Sequence, residues 1–311
     1  QMSNVNETYL DVFRSLDFHR IKDHPNILIA ANFWDAERYQ AAKAAYRFMR
    51  AIDDLIDDYK AAHKEIAENE KDRFINDVQH WTDTLTGQIP ADPRFSELPG
   101  TFARFLIPFW PMEAFARSMT YDILNDGFPS LKAFLDYAEG ASVAPAAIFV
   151  HLCGLREENG MYLPPLFDVG RAARPCAVFS YLVHIIRDFR KDQLNHLNYF
   201  ADDLIVKYGM DRNVLYEMAC GSPIRDGFRN MIGEYCIVAD EYRRKTYDII
   251  QEIGPYLESR YRLSLDIIFN LYLMIFERID VEKGSFSTGE LNPTPEEVKQ
   301  KVYETILAFK P

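Results

Sequence analysis

Two short stretches carry the residue types that could do chemistry. Residues 46–58 (YRFMRAIDDLIDD) and 186–192 (IRDFRKD) each set an arginine ahead of two aspartates four residues apart. These are Arg50, Asp53 and Asp57 in the first, and Arg187, Asp188 and Asp192 in the second. Residues i and i+4 are neighbours on one face of a helix, so each stretch can aim two carboxylates the same way beside a guanidinium. Hard oxygen ligands suit Mg²⁺, which is commonly held by a few carboxylates together with substrate phosphates. A guanidinium matches phosphate oxygens in a bidentate fork. The pattern predicts two helices that face each other across a cavity and grip a diphosphate through magnesium.

The plain alternative is a solvated acidic helix face, and either stretch alone is explained by it. The surroundings count against it. Asp53 and Asp57 sit among Phe48, Met49, Ile52, Leu55 and Ile56, and Asp188 follows FSYLVHII at 179–186. A helix that is apolar all round is a buried one, and carboxylates at its end are costly unless paired or metal-bound. Asp54 and Asp58 lie about 100° further round the helix and read as the solvated face. Arg50 and Arg187 fit phosphate binding and fit ordinary helix salt bridges equally. His184, one turn before Asp188, reads as a core histidine on its own and as a metal ligand in this company.

The elements that must position these groups read as helices nearly throughout. Asp35 is the expected N-cap of the helix carrying the first stretch, after a break at 23–26. Residues 130–155 predict one long apolar helix rich in small residues, kinked near Pro145. The second stretch belongs to a helical region at 168–193, and further helices follow at 224–253 and 257–279. Residues 282–295, rich in Gly, Ser, Thr and Pro, predict a mobile connection before a closing helix at 295–309. With no internal repeat and no composition shift, residues 1–311 predict a single all-α domain.

The chain of 311 residues is 48% hydrophobic and 14% aromatic, ample for a sizeable core. Its net charge of −12 argues against a nucleic-acid partner. The four cysteines have neither paired nor metal-type spacing and read as reduced, buried packing residues of a cytoplasmic protein. No window of about 18 uncharged apolar residues predicts a membrane-spanning helix.

In the order and spacing of its motifs the chain resembles the squalene/phytoene synthases. The residues that carry the resemblance are Tyr46-x-x-x-Arg50-x-x-Asp53-Asp54-x-x-Asp57, then Ile186-Arg187-Asp188-x-x-x-Asp192 followed by NYFADDL at 198–204. The small-residue segment YAEGASV at 137–143 is similar too, as is Tyr247-Asp248-Ile249-Ile250 on a late helix expected to close the pocket. The resemblance implies the all-α class I isoprenoid synthase fold, with a central cavity. It implies that Asp53, Asp57, Asp188 and Asp192 are the catalytic carboxylates holding Mg²⁺ against substrate diphosphate. Tyr46, Arg50 and Arg187 would contact the diphosphate, and Tyr199 would lie at the pocket mouth.

The implied reaction joins two molecules of farnesyl or geranylgeranyl diphosphate head to head, giving squalene, a dehydrosqualene or phytoene. NADPH is called for only if the product is squalene. His184 stands where the family has an asparagine, and His24-Pro25-Asn26-Ile27 replaces a family His-Ser. A terpene-type synthase acting on a single prenyl diphosphate, or a non-catalytic assembly factor on the same fold, remain alternatives. So greasy a product suggests work near a bilayer through peripheral contact. Substrate chain length and oligomeric state are not written in the spacing.

Overall fold

The computed structural model describes residues 4–20 and 26–311. The break predicted at 23–26 and the HPNI segment fall largely outside them. The described chain is helical apart from one small hairpin. A continuous apolar core reaches from Tyr9 to Phe309.

The helix Ala36–His63 carries the first acidic stretch and begins where its cap predicts. Asp35 is extended (φ −62°, ψ 154°), and its Oδ1 accepts the Arg38 backbone N–H at 2.9 Å. The other oxygen, Oδ2, lies 3.3 Å from the buried Arg38 guanidinium and accepts the Tyr261 hydroxyl at 2.7 Å. Ala41, Ala45, Phe48, Ile52 and Ile56 fall at helical spacing and are buried. This anchoring leaves Tyr46, Arg50, Asp53 and Asp57 on a common, less buried side.

The long apolar helix expected at 130–155 exists but bends earlier than expected. It runs as Leu131–Ala138, a π-helical turn Glu139–Val143, and Ala144–Gly154. Pro145 has no N–H to give the carbonyl four residues back, so the ladder is already interrupted there. Gly140 lies hard against the neighbouring helix Trp110–Leu124: a Cβ would fall 2.1 Å from both the Ala114 carbonyl oxygen and Ser118 Oγ. The wider π turn accommodates the interruption and the close approach together. By length and composition this run is long and apolar enough to cross a membrane, which the sequence did not lead us to expect; 56% of its apolar window is buried inside the protein.

The second acidic stretch also differs in detail. The expected region divides into Val169–Arg187 and Phe189–Leu194, broken at Asp188 (φ −97°, ψ 14°). The ladder survives the break: Asp188 N–H donates to the His184 carbonyl at 2.9 Å and Asp192 N–H to that of Asp188 at 2.8 Å. Asp188 and Asp192 therefore stay within one turn of each other. The helix Asp226–Ile253 packs along Val169–Arg187, and Ser259–Arg278 packs against both.

The structure adds one element that the sequence reading did not place and overturns two expectations. Arg156–Glu158 and Met161–Leu163 form an antiparallel hairpin, turned by Asn159 and Gly160 at φ 52° and 77°. Residues 282–295 are pinned rather than mobile: Phe286 and Leu291 are buried, and Arg190 and Arg229 donate to the carbonyls of Ser285 and Gly284. Cys153 is buried, but Cys220 is exposed.

Candidate active site

A cavity of about 390 Å³ opens inside the helical assembly, and both acidic stretches line it. Tyr46, Arg50, Asp53 and Asp57 come from Ala36–His63. His184, Asp188, Lys191 and Asp192 come from the broken pair of helices on the other stretch. Phe115, Met119, Ala141 and Pro145 supply apolar lining, and Tyr199 and Tyr272 add aromatic surface. Arg187 is not part of the lining; its guanidinium is spent on Asp188. Tyr247 is exposed and no residue of Asp226–Ile253 lines the cavity; the late helix that reaches it is Ser259–Arg278, through Tyr272.

The first stretch gains a partner that the sequence reading missed. Asp53, Asp57 and Asp122 each bring one carboxylate oxygen within 4.8 Å of the others. Asp122 projects from Trp110–Leu124, 65 and 69 residues away in sequence from the other two, so no local spacing could reveal it. Its one signal was that of Asp188: a lone carboxylate near the end of a helix whose neighbours Phe115, Met119 and Ile123 are buried.

Burial, then the Asp122 charge, pushes the Asp53 carboxyl up to about 7. Burial and the Asp53 charge push Asp57 up to about 9. Burial raises Asp122 as well, against the opposing Lys60 ammonium 3.9 Å away and a 2.5 Å hydrogen bond from the Tyr137 hydroxyl. Three hard oxygens this close, short of compensating cations, are a donor set that fits Mg²⁺. Arg50 closes the rim, reaching Asp53 at 3.3 Å and Asp54 at 2.8 Å. Asp54 is thus engaged with Arg50 at the cavity rather than on a separate solvated face.

The other wall is built differently. Asp188 Oδ1 accepts Arg187 Nε at 2.9 Å, and Oδ2 accepts Arg187 Nη2 at 3.0 Å. His184 Nε2 is 2.7 Å from Oδ2. Burial alone would raise the Asp188 carboxyl; the hydrogen bonds from His184 and Arg187 win and hold it well below the usual carboxylate range. Burial and the Arg187 charge push His184 down, so its ring is neutral and Nε2 carries the donated hydrogen. Asp192 makes no side-chain hydrogen bond among the described residues, and burial together with the Asp188 charge pushes it up to about 8.

Tyrosines shield the space between. The rings of Tyr137 and Tyr181 are 6.3 Å apart, those of Tyr181 and Tyr199 6.1 Å, and Tyr199 stacks on Phe128 at 6.3 Å. Burial holds all three phenols well above their ordinary value, so they stay neutral. The arrangement can bind a polyanion at one end and hold an apolar chain beyond it, under aromatic faces that attract positive charge.

The sequence pattern of squalene/phytoene synthases matches residues 22–296. Among solved structures, a dehydrosqualene synthase in complex with ligand superposes with a TM-score of 0.66 at 16% identity, over 97% of this chain and 99% of that one. Squalene synthase HpnC from Alicyclobacillus acidocaldarius superposes with a TM-score of 0.65 at 14% identity, over 86% and 92%. The comparison with curated proteins gave no match.

Proposed function

The chain belongs to the squalene/phytoene synthase family of prenyltransferases, and from that premise we propose that it joins two prenyl diphosphates head to head in a Mg²⁺-dependent reaction. One observation carries the proposal beyond the family: Asp53 and Asp57 face an aromatic-lined cavity, and Asp122 brings a third carboxylate oxygen within 4.8 Å of theirs. Asp53, Asp57 and Asp122 would hold the metal. When bound, Mg²⁺ supplies Lewis-acid neutralisation of the charge that gathers on the departing diphosphate.

The protein's own groups do the rest. Arg50, at the rim, is placed to meet diphosphate oxygens, with the Tyr46 hydroxyl one turn before it on the same helix. Tyr137, Tyr181 and Tyr199 keep water from the allylic cation left by ionisation, and their ring faces stabilise it. Their raised phenol values matter here, because a neutral phenol cannot capture the cation as a phenolate would. Farnesyl and geranylgeranyl diphosphate are the substrates we propose, with NADPH consumed only if the product is squalene.

Incubation with Mg²⁺ and each diphosphate, with and without NADPH, tests the proposal. Diphosphate release and a C30 or C40 hydrocarbon are expected. A product built from one substrate molecule would mark a terpene-type synthase, and no diphosphate release at all would sink the enzymatic reading. A second expectation concerns the residue that spacing did not reveal. Asp122→Asn should raise the Mg²⁺ concentration needed for half-maximal rate at least ~10-fold. Calorimetric titration with Mn²⁺ checks this without turnover, and unchanged affinity would remove Asp122 from the metal set.

A further inference from the structure

The two walls of the cavity are not equivalent, although both carry an arginine and a spaced pair of aspartates. On the first, Asp57 makes no side-chain hydrogen bond among the described residues, and Asp53 has a single one, at 3.3 Å from Arg50. On the second, both oxygens of Asp188 are taken: Arg187 grips them as a fork and His184 adds a third bond at 2.7 Å. A carboxylate neutralised by a bidentate guanidinium retains little attraction for a cation. Mg²⁺ sheds its water reluctantly and demands near-octahedral oxygen ligands, and on Asp188 both sites of Oδ2 and one of Oδ1 are filled, leaving a single site on a carboxylate whose charge is already neutralised. His184 helps little, because Nε2 is spent as a donor to Asp188 and Nδ1, which keeps the lone pair, is a softer ligand than the oxygens Mg²⁺ prefers.

This wall adds a positive group that the first lacks between its aspartates. Lys191, between the two aspartates, lines the cavity, is exposed and forms no salt bridge among the described residues. Asn195, one turn on, lines it too and adds a neutral amide. The cavity is asymmetric in charge: Asp53 and Asp57, backed by Asp122, on one side, and on the other a neutralised Asp188, the Lys191 ammonium and the single unbonded carboxyl of Asp192.

Resting on the reading of a prenyl diphosphate site given above, we propose that Asp188 of this chain is not a metal ligand. Asp188 is an internal counter-ion locked by Arg187 and His184, and the wall receives a diphosphate directly through the Lys191 ammonium. The paired carboxylates of the first wall then have no counterpart on the second, where Asp192 stands alone, and the two diphosphates of a head-to-head pair would be held by different chemistry.

Two arms test this on the full chain. In the first, Mn²⁺ binding is followed by electron paramagnetic resonance of the free ion, in the presence of inorganic diphosphate. Asp57→Asn should weaken binding about tenfold or more, while Asp188→Asn leaves it unchanged. An equal loss in both variants would overturn the proposal. In the second, inorganic diphosphate is added in excess EDTA and the melting temperature is read. Wild type should be stabilised and Lys191→Gln should lose most of that stabilisation. No stabilisation of wild type, or the same stabilisation in the variant, would overturn the proposal. Lys191 is exposed, so its replacement leaves the core untouched. Failure of wild type to bind Mn²⁺ would instead defeat the magnesium reading of the first wall, and the metal-free arm would still decide the second.

Discussion

Asp53→Asn is expected to cut turnover by roughly 10²–10³-fold and, in the absence of metal, to make the protein more stable above neutral pH. The two effects have one cause. Asp53, Asp57 and Asp122 crowd like charges into a buried space, which suits a divalent cation and strains the chain without one. In the unfolded chain Asp53 and Asp57 ionise near 3.8; in the folded chain they do so at about 7 and about 9. Between those limits the native state keeps protons that the unfolded state has lost. Stability is therefore full below the unfolded value and falls as pH rises towards the folded ones. Each retained proton costs about 1.4 kcal/mol per pH unit over its window.

Asparagine keeps the shape and cannot ionise, so the variant should show a shallower decline of melting temperature from acid to alkaline pH. Arg50 keeps Asp54 at 2.8 Å as a partner, which limits other damage. Mg²⁺ with inorganic diphosphate should raise the wild-type melting temperature most at high pH, and the variant's much less. Thermal melts of both proteins across pH, with and without metal, read all of this. A variant with the wild-type slope, or one less stable than wild type at alkaline pH, would show that Asp53 is not part of a strained acidic cluster.

What could be read in advance follows from how far apart in sequence the interacting groups lie. Asp53 and Asp57 declare themselves because a helix turns four-residue spacing into proximity, and the apolar neighbours Phe48, Ile52 and Ile56 point to a buried setting. The Asp35 cap was legible for the same local reason. Asp122 was not, since only the packing of Trp110–Leu124 brings it to Asp53. The state of Asp188 is likewise tertiary: spacing puts Arg187 and His184 near it, but side-chain geometry decides that both grip the carboxylate. The hairpin at 156–163 was legible in principle, because Asn159-Gly160 is the dipeptide that a tight turn with two positive φ angles demands. Its strands are three residues each, too short to show alternation against a helical background. Residues 282–295 misled in the opposite sense. A loop composition says nothing of Phe286 and Leu291, two apolar side chains that reach the core and pin the segment.

Gly140→Ala is expected to destabilise the protein by about 3 kcal/mol, against the usual trend for this exchange. In an exposed helix alanine is favoured over glycine by about 1 kcal/mol. Here the new methyl would sit 2.1 Å from the Ala114 carbonyl oxygen and from Ser118 Oγ, and 2.7 Å from the Ala114 carbonyl carbon. Ser118 could rotate, but the backbone of Trp110–Leu124 cannot, so the two helices must part. Parting them breaks the 2.7 Å bond from Ser118 Oγ to the Tyr137 carbonyl. It also moves Asp122, one turn beyond Ser118 on the same helix, relative to Asp53 and Asp57, and shifts Ala141 and Ser142 in the cavity wall. Metal affinity should therefore fall along with stability, although Gly140 touches neither metal ligand nor substrate. Gly289→Ala is the matched control: it lies in the short helix Thr288–Leu291 with nothing within 4 Å of the added methyl, and it should be neutral or slightly stabilising. Chemical denaturation and Mn²⁺ titration of both variants separate the cases. Wild-type stability in Gly140→Ala would mean that the π turn does not depend on this close approach, leaving the missing N–H of Pro145 as its sole cause.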